Sequence, residues 1–268
     1  MKKVSLQMLA LLAAVCLSGI ASWAQLPPPN DAGVTMGHIH MVTPNVEATK
    51  NVFATMGGVV TKREGALDIV KFPGVLIFFR EGQPTGPSAG SVVNHIGFLV
   101  PNVQQAIAKW KAAGLNAEMG NNRTDQGNVM TPEGVRLEIQ EDKAQTVPIR
   151  SHHVHFHVAE SAIPEIQAWY AKTFGAKPGM RGQNQAADVP GMNLTFSRYT
   201  EPTLPTRNRA LDHIGFEVKN LEAFCKKLEA AGVKLDRPYG HTATGLGIAF
   251  ITDPWGTYIE LNEGLDKL

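Results

Sequence analysis

Cysteine is almost missing from this chain: Cys16 and Cys225 are the only two in 268 residues. With one cysteine left outside the first segment, an internal disulfide framework is excluded. Cys225 lies in the helical-looking Leu221-Glu222-Ala223-Phe224-Cys225 and reads as a small buried hydrophobe rather than a nucleophile. Runs of like charge are absent too. Lys plus Arg number 25 against 24 Asp plus Glu, a formal charge of +1, so no basic patch is available to bind phosphates and nucleic acid is excluded as a partner. After Ile20 no stretch is long and apolar enough to span a membrane. What is present is 43% hydrophobic residues against 18% charged, enough to build an ordinary core without cross-links and too much for a disordered chain.

The one long apolar run is Met8 to Ile20, broken only at Ser18 and Gly19, with Lys2 and Lys3 before it. Ser22-Trp23-Ala24 then sets small residues around a cut before Gln25. This is the layout of a secretory signal peptide, and the run is short for a retained anchor, which needs ~20 apolar residues. Residues 1–24 are therefore expected to be removed. The mature chain is expected to be exported, periplasmic or extracellular, with no membrane attachment.

The rest of the chain repeats itself four times. His38-Ile39-His40-Met41-Val42, His95-Ile96-Gly97-Phe98-Leu99-Val100, His153-Val154-His155-Phe156-His157-Val158 and His213-Ile214-Gly215-Phe216-Glu217-Val218 each open on His and alternate as half-buried strands do. Asn45, Asn102 and Asn220 follow at a constant spacing and suit helix N-caps. The third copy has Glu160-Ser161 and Pro164 there instead. Gly57-Gly58, Gly114, Gly175 and Gly232 close the four helical runs. Short strands follow each, so the unit reads βαβββ.

A longer repeat lies above the short one. Leu76-Ile77-Phe78-Phe79-Arg80 matches Leu194-Thr195-Phe196-Ser197-Arg198, and Thr131-Pro132-Glu133-Gly134-Val135-Arg136-Leu137-Glu138 matches Asp253-Pro254-Trp255-Gly256-Thr257-Tyr258-Ile259-Glu260. Copies one and two are accordingly expected to pair in one domain, 25–144, and copies three and four in another, 145–268. The polar stretch Glu141 to Arg150 is the expected linker.

Leu211-Asp212-His213-Ile214-Gly215-Phe216-Glu217-Val218, Trp169-Tyr170…Phe174-Gly175 and the closing Asp253-Pro254-Trp255-Gly256-Thr257-Tyr258-Ile259-Glu260-Leu261 resemble the vicinal oxygen chelate superfamily of glyoxalases, extradiol dioxygenases and bleomycin-resistance proteins. The resemblance implies an α+β fold of four βαβββ modules paired into two cup-shaped domains. It leaves the reaction open, because one fold hosts many chemistries.

Strand alternation puts His213, Gly215 and Glu217 on one face and Ile214, Phe216 and Val218 on the other. The apolar face must pack on the helices, so the His face lines the concavity. Eight of the nine histidines fall in or beside these four strands. The resemblance takes metal ligands from the first and last strands of modules, which gives His38, His95 and Glu138 in one half and His153, His213 and Glu260 in the other. Two imidazoles and a carboxylate leave open positions and suit one divalent ion per active domain: Fe, Mn, Zn or Ni. No acid stands in Val75–Arg80 or Asn193–Arg198 to serve as a fourth ligand, which favours a dioxygenase-like triad over a glyoxalase-like site.

The second half, richer in polar groups, is the expected working site. His155 and His157 are its candidate acid or base, and Glu217 and Tyr258 its candidate substrate contacts. The expected function is a secreted metal-dependent enzyme, monomeric or homodimeric, acting on a small molecule that chelates the metal through vicinal oxygens. An extradiol-type dioxygenase leads, a glyoxalase-type lyase or isomerase follows, and a non-catalytic binding protein of the bleomycin-resistance type is the alternative.

Overall fold

The computed structural model describes residues 26–61 and 68–268. The expected signal segment, 1–24, lies outside the described residues. Each repeat folds as βαβββ. The first comprises β1 (Val34–Thr43), α1 (Val46–Met56), β2 (Val59–Thr61), β3 (Asp68–Phe72) and β4 (Val75–Glu81). The second comprises β5 (Val93–Val100), α2 (Val103–Ala112), β6 (Asn116–Met119), β7 (Gln126–Met130) and β8 (Arg136–Glu141). The third comprises β9 (Arg150–Val158), α3 (Ile163–Phe174), β10 (Lys177–Arg181), β11 (Asn184–Val189) and β12 (Met192–Arg198). The fourth comprises β13 (Leu211–Val218), α4 (Leu221–Ala230), β14 (Leu235–His241), β15 (Gly247–Thr252) and β16 (Tyr258–Glu263).

The helix signals act where the sequence puts them. The side chains of Asn45, Asn102 and Asn220 accept from the backbone N–H of Ala48, Gln105 and Ala223, satisfying donors that have no partner inside the helix. α3 has no such side-chain cap and carries Pro164 in its first turn. No helix among the described residues is long and apolar enough to cross a membrane.

Two eight-stranded sheets result, in the orders β14-β15-β16-β13-β1-β4-β3-β2 and β10-β11-β12-β9-β5-β8-β7-β6. The architecture of two cup-like sheets is as expected, but the partners are not. The first repeat pairs with the fourth and the second with the third, so the division into 25–144 and 145–268 cuts through both sheets.

The connections supply the physical reason. Residues 142–149 join β8 to β9, which flank β5 in one sheet, and need only step across two strand spacings of about 4.8 Å. They are stapled to the end of β5, where Asp142 N donates to Val100 O and Gln145 Nε2 to Leu99 O. The presumed interdomain linker is thus a connection within one sheet. The crossings between sheets are 82–92 and 199–210, which run side by side. Thr85 N donates to Asn208 O, Ala210 N to Gly86 O, and Val92 N and Leu204 O bond likewise.

The outer faces and helices share one continuous core. Phe174 of α3 packs 4.5 Å, ring centre to ring centre, from Phe216 of β13, and Phe72 packs 4.9 Å from Phe98, so each contact joins repeats that belong to different sheets. Ile214, Phe216 and Val218 are fully buried in that core, as alternation requires.

The repeat alignment of the fourth strands needs a one-residue correction. His38 lies beside Leu76, but His153 lies beside Asn193 rather than Leu194. A one-residue slip exchanges faces, so Leu76, Phe78 and Arg80 stand beside His38, His40 and Val42 of β1, whereas Asn193, Thr195 and Ser197 stand beside His153, His155 and His157 of β9.

Candidate metal centre

The two seams between modules position the functional side chains. At the first, β1 runs antiparallel to β13, with His38 opposite Gly215 and His40 opposite His213. At the second, β5 runs antiparallel to β9, with Gly97 opposite His153 and His95 opposite His155. The glycines are obligatory there. A Cβ at Gly215 would lie 2.0 Å from the His38 ring, and one at Gly97 would lie 2.0 Å from the His153 ring. His-x-His on one strand is thus complemented by His-x-Gly on its neighbour. The parallel strands β16 and β8 then bring Glu260 and Glu138 beside these glycines.

The six residues expected as ligands all lie in the two clusters, but sorted differently. Ligand atoms of His38, His40, His213 and Glu260 lie within 4.8 Å of one another in the first cup, and those of His95, Glu138, His153 and His155 do so in the second. Neither expected triple assembles, because the halves of the chain do not form the sheets. The ranking of the second half over the first loses its meaning for the same reason. A fourth group, absent from the expected triads, joins each cluster from the first strand itself: His40 in one and His155 in the other.

In the first cup His213 is held from both sides. Its Nδ1 lies 2.5 Å from Asp212 Oδ1 and its Nε2 lies 2.8 Å from Glu260 Oε2. Glu260 Oε1 accepts from Asn262 Nδ2 at 2.7 Å. Adjacent residues of a regular strand point to opposite faces, yet Asp212 and His213 meet. The β1–β13 register shifts between His40 and Met41, and this bulge re-aims Asp212 toward the His213 ring. Sequence alternation therefore missed Asp212, although it directly precedes His213.

Burial pulls the His213 pKa down, but Asp212 and Glu260 outweigh it and the net shift is upward. Burial raises Glu260, yet His38 and His213 hold its carboxyl well below the usual range. Burial also lowers His38 and takes His40 well below its ordinary value, leaving both rings neutral.

Both ring nitrogens of His38 and both of His40 are buried without a hydrogen-bond partner. Buried polar atoms are normally satisfied, so four unpartnered imidazole nitrogens around a carboxylate are the signature of a site that takes a further group. Neutral imidazoles plus a carboxylate suit a divalent cation with N/O preference. The Asp212 contact keeps the Nδ1 proton of His213 in place and turns Nε2 inward, the usual outer support of a metal-binding imidazole. The residues fit a divalent ion.

A cavity of about 670 Å³ opens over this cluster. His40, His213 and Glu260 line it near the cluster, with Phe78, Phe250 and Tyr258 as apolar lining and Arg80, Arg207, Arg237 and Asp236 as charged lining. Tyr258 stacks on Phe250 at 4.8 Å, with the Arg207 guanidinium 4.6 Å from the Tyr258 ring centre. Arg237 lies 6.0 Å from the Phe250 ring centre. Tyr258 is where the sequence puts it. Glu217 is not: it lines a separate cavity, and its carboxylate accepts from the backbone N–H of Gly264 and Leu265 at 2.7 and 3.1 Å. Its role as a substrate contact is withdrawn in favour of anchoring the C-terminal turn.

In the second cup the ring nitrogens of His95 and His153 are all engaged within the chain, and Nδ1 of His155 and of His157 are the buried imidazole nitrogens left without a partner. Arg136 Nη2 and Asn94 Oδ1 both meet His95 Nδ1, the latter at 2.8 Å, and His95 Nε2 lies 2.7 Å from Glu138 Oε2. Arg181 Nη2 lies 3.4 Å from His153 Nε2 and 3.8 Å from Glu138 Oε1, and His153 Nδ1 lies 3.0 Å from His152 Nδ1. Glu138 Oε1 also accepts from Gln126 and Gln140 at 2.9 and 2.5 Å. Burial lowers His95 and His153 to about 4 and His155 to about 2. A divalent ion some 4 Å from a guanidinium would be opposed by roughly 8 kcal/mol at an effective dielectric constant of about 20. These residues do not fit the ion as the first cup does.

His155 Nε2 bonds Ser197 Oγ at 2.7 Å, and His157 stacks on Tyr199 at 4.8 Å, so both candidate proton carriers belong to this second cup. In this cup Arg136 and Arg181 are residues that strand patterning did not identify, as Asp212 is in the first. Arg136 matches Tyr258 in the repeat, and that mismatch was the available signal.

A family model described as "Glyoxalase/Bleomycin resistance protein/Dioxygenase superfamily" matches residues 150–261. No curated protein matches the chain. Among solved structures the chain is similar to glyoxalase I from Zea mays, with 14% identity, 87% of this chain and 94% of that chain covered, and a TM-score of 0.65. It is likewise similar to a putative dioxygenase from Bacillus subtilis subsp. subtilis str. 168, with 12% identity, 85% and 84% covered, and a TM-score of 0.64. At these identities the likeness is one of fold, and it extends over both sheets.

Proposed function

We propose that this chain, whose residues 150–261 match the glyoxalase/bleomycin resistance/dioxygenase superfamily, is a metal-dependent enzyme whose working centre is the first cup and whose substrate is a small molecule with two neighbouring oxygens. The observation that carries this is the set of unpartnered imidazole nitrogens of His38 and His40 beside Glu260, under a cavity large enough for such a substrate. His38, His213 and Glu260 would hold the ion. When bound, it supplies Lewis-acid polarisation of the substrate oxygens or a meeting point for substrate and O₂.

The chain's own groups do the rest. Asp212 keeps the His213 Nδ1 proton in place, and Asn262 orients the Glu260 carboxylate. His40, neutral and facing the cavity, takes the proton role that the sequence assigned to His155 and His157. Phe78, Phe250 and Tyr258 exclude water around an apolar or aromatic body, and Arg80, Arg207 and Arg237, which outnumber Asp236 in the lining, favour a negatively charged group on it. The leading reaction remains an extradiol-type dioxygenation, because three ligands leave room for both substrate oxygens and O₂. A glyoxalase-type lyase or isomerase is favoured instead if His40 is a fourth ligand.

His40→Ala separates the two. Retained metal with lost turnover, measured by oxygen uptake on a panel of catechols, supports the dioxygenase with His40 as base. Lost metal, with isomerisation of thiol–2-oxoaldehyde adducts by the wild type, supports the second reading. A purified wild-type chain that takes up no divalent ion under either assay leaves only a binding protein. Export of the chain after cleavage before Gln25 is part of the proposal, and recovery of Met1 by N-terminal sequencing of the mature protein overturns that part.

A further inference from the structure

The two cups follow one plan and differ in what neutralises their carboxylate. At matching places of the repeat, Asp212 and Tyr258 of the first cup are Asn94 and Arg136 in the second. Asn94 lies at the bulge equivalent to that of Asp212, where the β5–β9 register shifts between Val93 and His95. It meets His95 Nδ1 at 2.8 Å as Asp212 meets His213 Nδ1, but it is neutral, so it adds no negative charge to balance a cation. Arg136 instead bonds Asn94 Oδ1 at 3.0 Å and covers His95 Nδ1. From the sheet edge, Arg181 brings a second guanidinium to His153 Nε2 and Glu138. His95 and His153 are thus each met by a guanidinium N–H group, Glu138 accepts from Gln126 and Gln140 and lies 2.7 Å from His95 Nε2, and the third imidazole of the cluster, His155, keeps Nε2 on Ser197 with Nδ1 unpartnered.

We infer that the guanidiniums of Arg136 and Arg181 replace the metal charge in the second cup, so that each chain holds one divalent ion, in the first cup. The second cup is a metal-free replica whose positive charge is part of the chain. It keeps a buried Glu138 paired at all times, and its sheet does not depend on metal supply. This rests on the first cup being the metal centre, and the two readings fail differently.

The test is metal stoichiometry on the full chain, stripped with chelator and titrated separately with Mn²⁺, Ni²⁺ and Zn²⁺, read by calorimetry and by elemental analysis after desalting. Wild type is expected to bind one equivalent. E260Q is expected to bind none, and E138Q one, with wild-type affinity within about threefold. The double variant R136Y/R181M, which installs the tyrosine of the first cup, is expected to gain a second equivalent.

Two equivalents of similar affinity in the wild type overturn the inference. So does a folded R136Y/R181M, checked by circular dichroism, that still binds one. If that variant does not fold, E138Q decides alone: loss of the single equivalent there overturns the inference. Zero equivalents in the wild type would instead remove the metal reading of the first cup.

Discussion

His38 and Gly215 show how one residue's chemistry depends on another's lack of a side chain. The His38 ring lies where a Cβ of residue 215 would be, and the same holds for His153 and Gly97. Gly215→Ala must push a fully buried ring off its position, and overpacking of this kind costs about 1–3 kcal/mol. Because His38 is a proposed ligand, the same change is expected to weaken metal binding at least tenfold. Gly97→Ala is expected to cost similar stability and leave metal binding intact. Urea denaturation and metal titration of the two variants check this, and equal metal loss in both would contradict the assignment of the ion to the first cup.

At the scale of elements, the C-terminal turn at Leu265–Lys267 is tied to β13 by Glu217, and Leu265 packs on Ile69, Leu76 and Phe78. Burial pushes the Glu217 carboxyl up to about 7, although the two backbone N–H groups pull the other way. A folded-state pKa above the unfolded value makes a contribution that is complete below about 4.5 and is lost as pH rises to about 7. Glu217→Gln, fixed in the neutral form, loses nothing over that range. Its melting temperature relative to wild type is therefore expected to rise between pH 4.5 and 7 and to stay level above. A difference independent of pH would show that burial does not govern this carboxylate.

For the whole molecule, the pairing of first with fourth repeat makes a site out of residues from the two ends of the chain. His38 and Glu260 approach to 3.5 Å, whereas His153, on the other sheet, shares no cluster with Glu260. A double-mutant cycle on metal-free stability with His38→Ala and Glu260→Gln is expected to give a coupling of about 0.5–3 kcal/mol. The cycle of His153→Ala with Glu260→Gln is expected to be additive within ~0.5 kcal/mol. Strong coupling in the second cycle and none in the first would restore the pairing of successive repeats.

The sequence by itself determined the module. Alternation set which face of each His strand meets the core, asparagines and glycines set where the helices begin and end, and the recurrence of His with a late Glu marked every residue later found in the two clusters except His40, His155 and the supporting groups. These are local properties, fixed by side-chain period and backbone conformation within a few residues. Which modules pair is not local. His38 fits over Gly215 or Gly97 equally well on paper, since both glycines stand in the same His-Ile-Gly phrase. Only the folded chain decides, because residues 142–149 stay on one sheet while 82–92 and 199–210 cross together between sheets. The bulges at Asn94 and Asp212, and the reach of Arg136 and Arg181 into one cup alone, are likewise tertiary facts. They break the symmetry that the repeats show, because neighbouring strands, not neighbouring residues, set where those side chains go.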